Sequence, residues 1–334
     1  MPSFEMKLPI LKKVQRELGK FLNKVFFFSR SDNNYAEELV LAAVSHSYVE
    51  TVEGKADSLH LKIKECEWEN FLDIYQENIK SYVRRLNIRS GIIAFDITAE
   101  PFYGRTNGLY FIGCEAKEGY GQEFEFLVVS LINEKKEEKI PLGCVPVHLG
   151  FDCAKAIKDL LAYANKLFRI ELVLLDRGFY SADVINALHG LRYIMLMPKL
   201  NEKIKYYSDV LDYAHYCHNV KGEALTRIVL VRDKSDEFTW SFATNISLDD
   251  YYSYVNLYKK RWRIETNFRV EDEARIKSKS VFPIIRYFYF LTSLLLHSIW
   301  LVFKPNIPFK NFLINVFKFI ILEGFGIEQL LRFN

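Results

Sequence analysis

The predicted fold class is α/β: a mixed β-sheet flanked by helices, with a helical N-terminal region and a compact β insertion. Two patterns carry it. Residues 1–85 repeat apolar side chains at helical spacing, whereas from Ile88 short apolar runs alternate with helical stretches in the order three strands, helix, strand, helix, strand. An antiparallel meander that continues into β-α-β-α-β units builds a mixed sheet with helices on both faces. The 334 residues are 50% hydrophobic and 26% charged, which fits a soluble chain of about two domains and excludes disordered, collagenous and disulfide-rich classes. Five cysteines without a C-x-x-C pair point to reduced thiols and a cytoplasmic chain.

Taken in order, Leu8, Leu11, Val14, Leu18 and Leu22 recur every three or four residues, as one face of a first helix requires. Asp32–Asn34 breaks the pattern, and Ala36–Val49 and Trp68–Leu86 supply two more helices. Gly91–Ile97, Gly108–Cys114 and Glu123–Asn133 are strands, rich in β-branched and aromatic residues and separated by glycines. Asp152–Phe168 is a helix. Glu171–Leu175 is an apolar strand ending in Asp176, Ser181 caps a helix through Leu188, and Pro198 stops a strand over Tyr193–Met197. Within residues 199–247, a polar stretch, two further strands fall at Thr226–Arg232 and Phe238–Thr244; Asp249 then opens a long helix running past Glu265. Tyr287–Phe303 approaches the length of a membrane span. His297 inside it, and Arg286 and Pro283 before it, favour a buried core helix, with the amphipathic segment Phe309–Leu322 to cover it. Val25–Phe28 is shorter than the ~7–15 residue core of a signal peptide, so no membrane association is expected. The resulting division is residues 1–87 helical, 88–198 with 248–300 forming the sheet domain, 199–247 the β insertion and 301–334 a C-terminal helical segment.

Charge is segregated along the chain. Residues 1–30 carry seven Lys/Arg against two acids, residues 31–80 four Lys against eleven acids, and residues 254–286 nine Lys/Arg against four acids. Two basic segments around an acidic one suit a polyanion such as DNA, although solvated helix faces produce the same pattern.

Three acids stand out by position. Asp96 lies inside the first apolar strand and Asp176 at the end of the fourth; those strands are commonly neighbours in this topology, and ligands gather at carboxyl ends of strands. Two carboxylates side by side repel, a penalty that a divalent cation removes. Two ions ~3.5–4 Å apart can clamp the attacking and leaving oxygens of a phosphodiester. Tyr258, Arg261 and Glu265 then fall on one narrow face of the later helix, beside an apolar stripe of Leu257, Ile264 and Phe268 that would dock it. Such a face suits phosphate, with Glu on the metal and Arg and Tyr on oxygens. Taken singly, each acid also reads as a capping or turn residue, and the helix as a solvated face with ordinary Arg–Glu pairs.

Three blocks together, Ile93–Thr98 with Pro101–Gly104, Leu174–Ser181 (LLDRGFYS) and Tyr258–Arg269 (YKKRWRIETNFR), resemble the DDE transposases of bacterial and archaeal insertion sequences. Ser241–Asn245 (SFATN) is similar as well, and the likeness spans about residues 88–300. The group it looks closest to carries a Y-x2-R-x3-E-x6-K signature. The resemblance implies a ribonuclease-H-like catalytic domain and a metal-binding catalytic triad of Asp96, Asp176 and Glu265 holding two Mg²⁺ (or Mn²⁺) ions. It implies contacts to double-stranded DNA from Tyr258 and Arg261, with Lys259, Lys260, Arg263, Lys277 and Lys279 as further cationic candidates. The implied activity is cleavage at element ends followed by strand transfer into target DNA. End recognition falls to residues 1–87, and pairing of ends implies a homodimer in the nucleoid-associated cytoplasm.

One position departs from the signature: Asp272, between Glu271 and Glu273, stands where the group has Lys. Lys277 and Lys279 are candidate substitutes; a decayed element copy is the other reading. A metal-dependent nuclease on the same fold, a non-catalytic element-derived DNA-binding protein and a membrane-anchored protein are the competing functions. Cys144, His148 and Cys153, or His215, Cys217 and His218, fit no familiar zinc spacing, and no Walker-type phosphate loop is present.

Overall fold

The computed structural model describes residues 6–26, 35–45, 47–51, 56–117, 119–133, 138–198, 210–219, 222–233, 238–261, 275–303 and 306–324. Its elements in chain order are α1 (Leu8–Phe26), α2 (Ala36–Ser45), α3 (Ala56–Lys64), α4 (Trp68–Arg85), β1 (Ser90–Phe102), β2 (Phe111–Lys117), β3 (Tyr120–Asn133), β4 (Glu138–Pro146), α5 (Cys153–Asn165), β5 (Arg169–Leu175), α6 (Ala182–Ala187), β6 (Tyr193–Leu196), β7 (Val210–Asn219), β8 (Gly222–Asp233), β9 (Phe238–Thr244), α7 (252–261), α8 (Pro283–Phe303) and α9 (Phe309–Gly324). The chain forms two compact units, one of Met1–Leu86, Glu100–Phe124 and Asn267–Asn334, the other of Asn87–Ala99 and Glu125–Thr266.

The first unit is mainly helical. Leu11, Val14, Leu18, Phe21, Leu22 and Val25 form the buried face of α1, which packs on α4, α8 and α9. The opposite face exposes Lys7, Lys12, Lys13, Arg16, Lys20 and Lys24. Helix α8 is apolar enough to cross a membrane by composition, yet 94% of its most apolar window is buried inside the protein. Phe288 on α8 meets the rings of Phe21, Phe26 and Phe71 at 6.3, 5.3 and 5.6 Å. The helix expected over Ala36–Val49 ends early, at Ser45. There the Ser45 hydroxyl bonds back to the Ala42 carbonyl and accepts from the Ser47 amide, side-chain bonds that compete with the helical ladder. Tyr48 instead forms a parallel bridge with Lys277.

The second unit holds most of a nine-stranded mixed sheet of order β2-β3-β1-β5-β6-β9-β8-β7, with β4 also paired to β3. Strands β1, β5 and β6 are parallel neighbours, and β9, β8 and β7 continue the sheet antiparallel from β6. The parallel centre is a near-continuous apolar run on every strand, as burial of both faces demands: Ile92–Phe95 and Leu172–Leu175 are all buried. Gly91 lets β1 approach β3, because a Cβ there would collide with the Leu131 side chain. Helix α5, capped by Asp152 accepting from the Lys155 amide, packs on β4 and β5; α6, capped by Ser181 as expected, packs on α5, β7 and β8.

Two strands were not anticipated. β4 follows the charged run 134–138 and contains Pro141 and Pro146, residues tolerated because its described pairing is to β3 alone. β7 lies in the stretch read as polar and pairs with β8 along Val210–Asn219.

Candidate active site

The geometry of the site begins with strand register. Ala94 on β1 lies opposite Leu174 on β5, so two residues further along the parallel pair come Asp96 and Asp176. Both are an even step from that pair, so their side chains leave the same face of the sheet. Asp176 ends its strand by capping a short turn, Arg177–Phe179: its Oδ1 accepts from the Arg177 amide at 2.7 Å. Asp96 Oδ1 accepts from the Ile97 amide at 3.0 Å. Each carboxylate is thus fastened by one oxygen to nearby backbone.

Helix α7 brings the other groups. Tyr254 docks it, accepting from the Leu248 amide and donating to the Ile246 carbonyl, both at 2.9 Å. Tyr258 is fully buried, with its ring against Phe242 at 5.4 Å and Trp240 at 6.0 Å. Its hydroxyl donates to Asp176 Oδ1 at 3.2 Å and accepts from Arg261 Nε at 3.0 Å. Arg261 reaches across both acids, Nη1 at 3.6 Å from Asp96 Oδ2 and Nη2 at 3.7 Å from Asp176 Oδ2. The buried face of the described part of α7 is therefore Tyr254, Val255, Tyr258 and Arg261; of the stripe expected to dock it, Leu257 is only half-buried, and Ile264 and Phe268 lie outside the described residues.

Asn245 of the SFATN segment fixes the opposite end of the sheet, away from Asp176. It accepts from the Tyr193 amide at 3.0 Å and donates to the Leu191 carbonyl at 2.7 Å, tying β9 to the start of β6.

Burial raises the pKa of Asp96, opposed by Arg261 and Lys139 and reinforced by the Asp176 charge. Burial likewise pushes the Tyr258 hydroxyl far above its usual range, so it is a neutral donor at any physiological pH. For Arg261, burial works against its charge, but Tyr258, Asp176 and Asp96 outweigh it and raise its pKa. Lys139, 2% exposed on β4, is a cationic neighbour of Asp96 that sequence reasoning missed. Its place in a run of mixed Glu and Lys looks like a solvated turn, and only strand pairing reveals its inward direction.

Of the expected site residues, the structure brings together Asp96, Asp176, Tyr258 and Arg261. Lys259 and Lys260 are half-exposed on the same helix, Lys259 5.8 Å from the Trp240 ring. Lys277 and Lys279 are exposed in the helical unit, where Lys279 lies 5.2 Å from the Tyr48 ring. Glu265, Arg263 and the acidic 271–273 triplet lie outside the described residues. Among the described residues no group of three or more His, Cys, Asp or Glu side chains could hold an ion, the two Cys/His groupings included. Two carboxylates on one sheet face, partly open at 20% and 35% side-chain exposure and already attracting a guanidinium, are nonetheless a hard-oxygen donor pair of the kind that Mg²⁺ or Mn²⁺ takes.

Residues 152–281 match the family model of the transposase DDE domain. The fold is similar to that of the piggyBac transposase in a cryo-EM synaptic complex with hairpin DNA, with a TM-score of 0.53 at 13% identity, covering 93% of this chain and 79% of that one. No curated protein matches the chain. The domain match therefore covers the stretch that holds Asp176, Tyr258 and Arg261, and the likeness to the solved structure is one of fold.

Proposed function

We propose that this chain is a DNA transposase that cuts at insertion-sequence ends and transfers the strands to target DNA, and that it belongs to the group with the Y-x2-R-x3-E-x6-K signature. The observation that carries the reading is the pairing of Asp96, inside β1, with Asp176, at the end of its parallel neighbour β5, against Tyr258 and Arg261. The transposase DDE-domain match over residues 152–281, which includes Asp176, Tyr258 and Arg261, supports it.

Asp96 and Asp176 would hold the metal with Glu265 as third ligand. Two Mg²⁺ (or Mn²⁺) ions, when bound, supply Lewis-acid polarisation of the phosphodiester and a strong oxygen nucleophile at neutral pH. The protein's own groups do the positioning. Asp176 is oriented by the Arg177 amide and the Tyr258 hydroxyl, Asp96 by the Ile97 amide. Such fastening sets both carboxylates before DNA arrives, so little reorganisation is needed at the moment of reaction. Water or a freed 3′-hydroxyl is the nucleophile, and no covalent protein–DNA link is formed. Lys259, Lys260, Arg263, Lys277 and Lys279 supply phosphate contacts, and the basic exposed face of α1, in the 1–87 helical region, recognises the element end. The similar synaptic complex contains hairpin DNA, which supports DNA as the partner here; two copies of the chain pair two ends, in the nucleoid-associated cytoplasm.

The test is cleavage of duplexes that carry the DNA flanking the reading frame in its host genome. Wild-type protein with Mg²⁺ should nick them at element ends and Asp96→Ala should not, while retaining end binding that weakens steeply with salt. Cutting by Asp96→Ala would refute the assignment. Pre-cleaved ends should be joined to plasmid DNA; hydrolysis without joining would mark a nuclease instead.

A further inference from the structure

Resting on that reading of Asp96 and Asp176 as metal ligands, we propose that Arg261 is a resident counter-cation that competes with the divalent ion for the carboxylate pair. Two features point to it. First, the guanidinium spans the acids with one nitrogen each, at 3.6 and 3.7 Å. Those are ion-pair separations, longer than the hydrogen bonds of a fork–fork Arg–carboxylate pair, so the contact is electrostatic and carries little directional hold. Second, Oδ1 of each Asp is taken by backbone, at 3.0 and 2.7 Å, while Oδ2 of each faces Arg261. The arginine therefore sits against the oxygens that the backbone leaves to a cation.

Charge makes the arrangement a competition. Two carboxylates side by side need positive charge; Lys139 lies near Asp96, and Arg261 is the cation whose contacts span both acids. A dication held by the same carboxylates neutralises both, so the guanidinium loses its attraction to them and is left with repulsion from the ion at this range. Arg261 is anchored from the other side by its Nε donating to the Tyr258 hydroxyl, and its guanidinium carbon lies 5.3 Å from the Tyr258 ring. Release of the two Nη contacts thus leaves the side chain with a partner on α7. In this account the carboxylates stay aligned without metal, and metal binding turns Arg261 outward, where its charge becomes available to a DNA phosphate.

The experiment is a Mn²⁺ titration of full-length protein by calorimetry, with melting temperatures measured in EDTA and in MnCl₂. Arg261→Gln should bind Mn²⁺ about fivefold or more tightly than wild type, the scale of an ordinary coupling between two ligands. It should melt lower than wild type in EDTA and recover more when Mn²⁺ is added. Arg261→Lys, a point charge that cannot span both acids, should fall between the two, and decides the matter if the Gln variant does not fold. Equal or weaker Mn²⁺ affinity in the variants, with binding still abolished by Asp176→Asn, overturns the competition alone. Mn²⁺ binding that ignores Asp176→Asn, or no binding by any variant, overturns the metal-site reading and the competition together.

Discussion

Two charged clusters of contrasting exposure lie in this chain, one in each unit. In the helical unit Glu100 faces two guanidinium groups: Arg286 Nη1 is 3.5 Å from Oε2 and Arg275 Nε is 4.0 Å from Oε1. All three side chains are at most 9% exposed. Arg286 also donates to the Ser280 carbonyl at 2.8 Å and lies over the Phe102 ring at 5.2 Å, and Arg275 lies over Phe290 at 5.3 Å. In the sheet unit two carboxylates share Arg261 and are left partly open. Surplus positive charge has been absorbed by aromatic faces and a backbone carbonyl, which are permanent partners. Asp96 and Asp176 are held by one backbone amide each and stay partly open to solvent, as a site for a mobile cation requires and a structural knot does not.

Substitution should separate the two. Asp176→Asn is expected to lower DNA cleavage by roughly a hundredfold or more, because charge stabilisation at the reacting phosphate is lost; cleavage at wild-type rate would break the distinction from the functional side. Glu100→Gln should cost about 3–5 kcal/mol in denaturant unfolding, since it removes the buried charge that two buried guanidinium groups face. Asp96→Asn, by contrast, should leave metal-free stability unchanged or raised: burial has already made its ionised form unfavourable. Similar losses from both would erase the difference between the clusters.

Acid should act first on the helical unit. His60 has its pKa lowered by burial, with Glu50 and Asp57 opposing and Lys64 reinforcing the shift. A depressed folded value means that stability is intact above the unfolded value of 6.5 and is lost as pH falls through the folded one. Melting temperature should therefore drop as pH falls below the unfolded value of 6.5 toward the lowered folded one, and His60→Gln should flatten that slope. The smallest effect expected is from Ser181→Ala, which removes the hydroxyl that caps α6 from the Val184 amide at 3.3 Å. It should cost about 1 kcal/mol and leave Mn²⁺ affinity unchanged.

What could be read from the residues alone follows from how local the determining forces are. The buried parallel strands carrying Asp96 and Asp176 were legible because each is a short apolar run that leads into a lone acid, inside the first strand and at the end of the other. Ser181 was legible because an N-cap is a local hydrogen bond. β4 and β7 were not, since an edge strand interrupted by proline or by polar side chains has no distinctive period and is made by its partner. The direction of α7 was half legible: spacing placed Tyr258 and Arg261 together, but only the sheet decides that this face turns inward, onto the acids. Lys139 was hidden for the same reason.

The most direct measurement is a crystal structure with Mn²⁺ and its anomalous difference map. The account predicts manganese ligated by both Asp96 and Asp176. Manganese bound only elsewhere, with the two carboxylates bare of it, would contradict it.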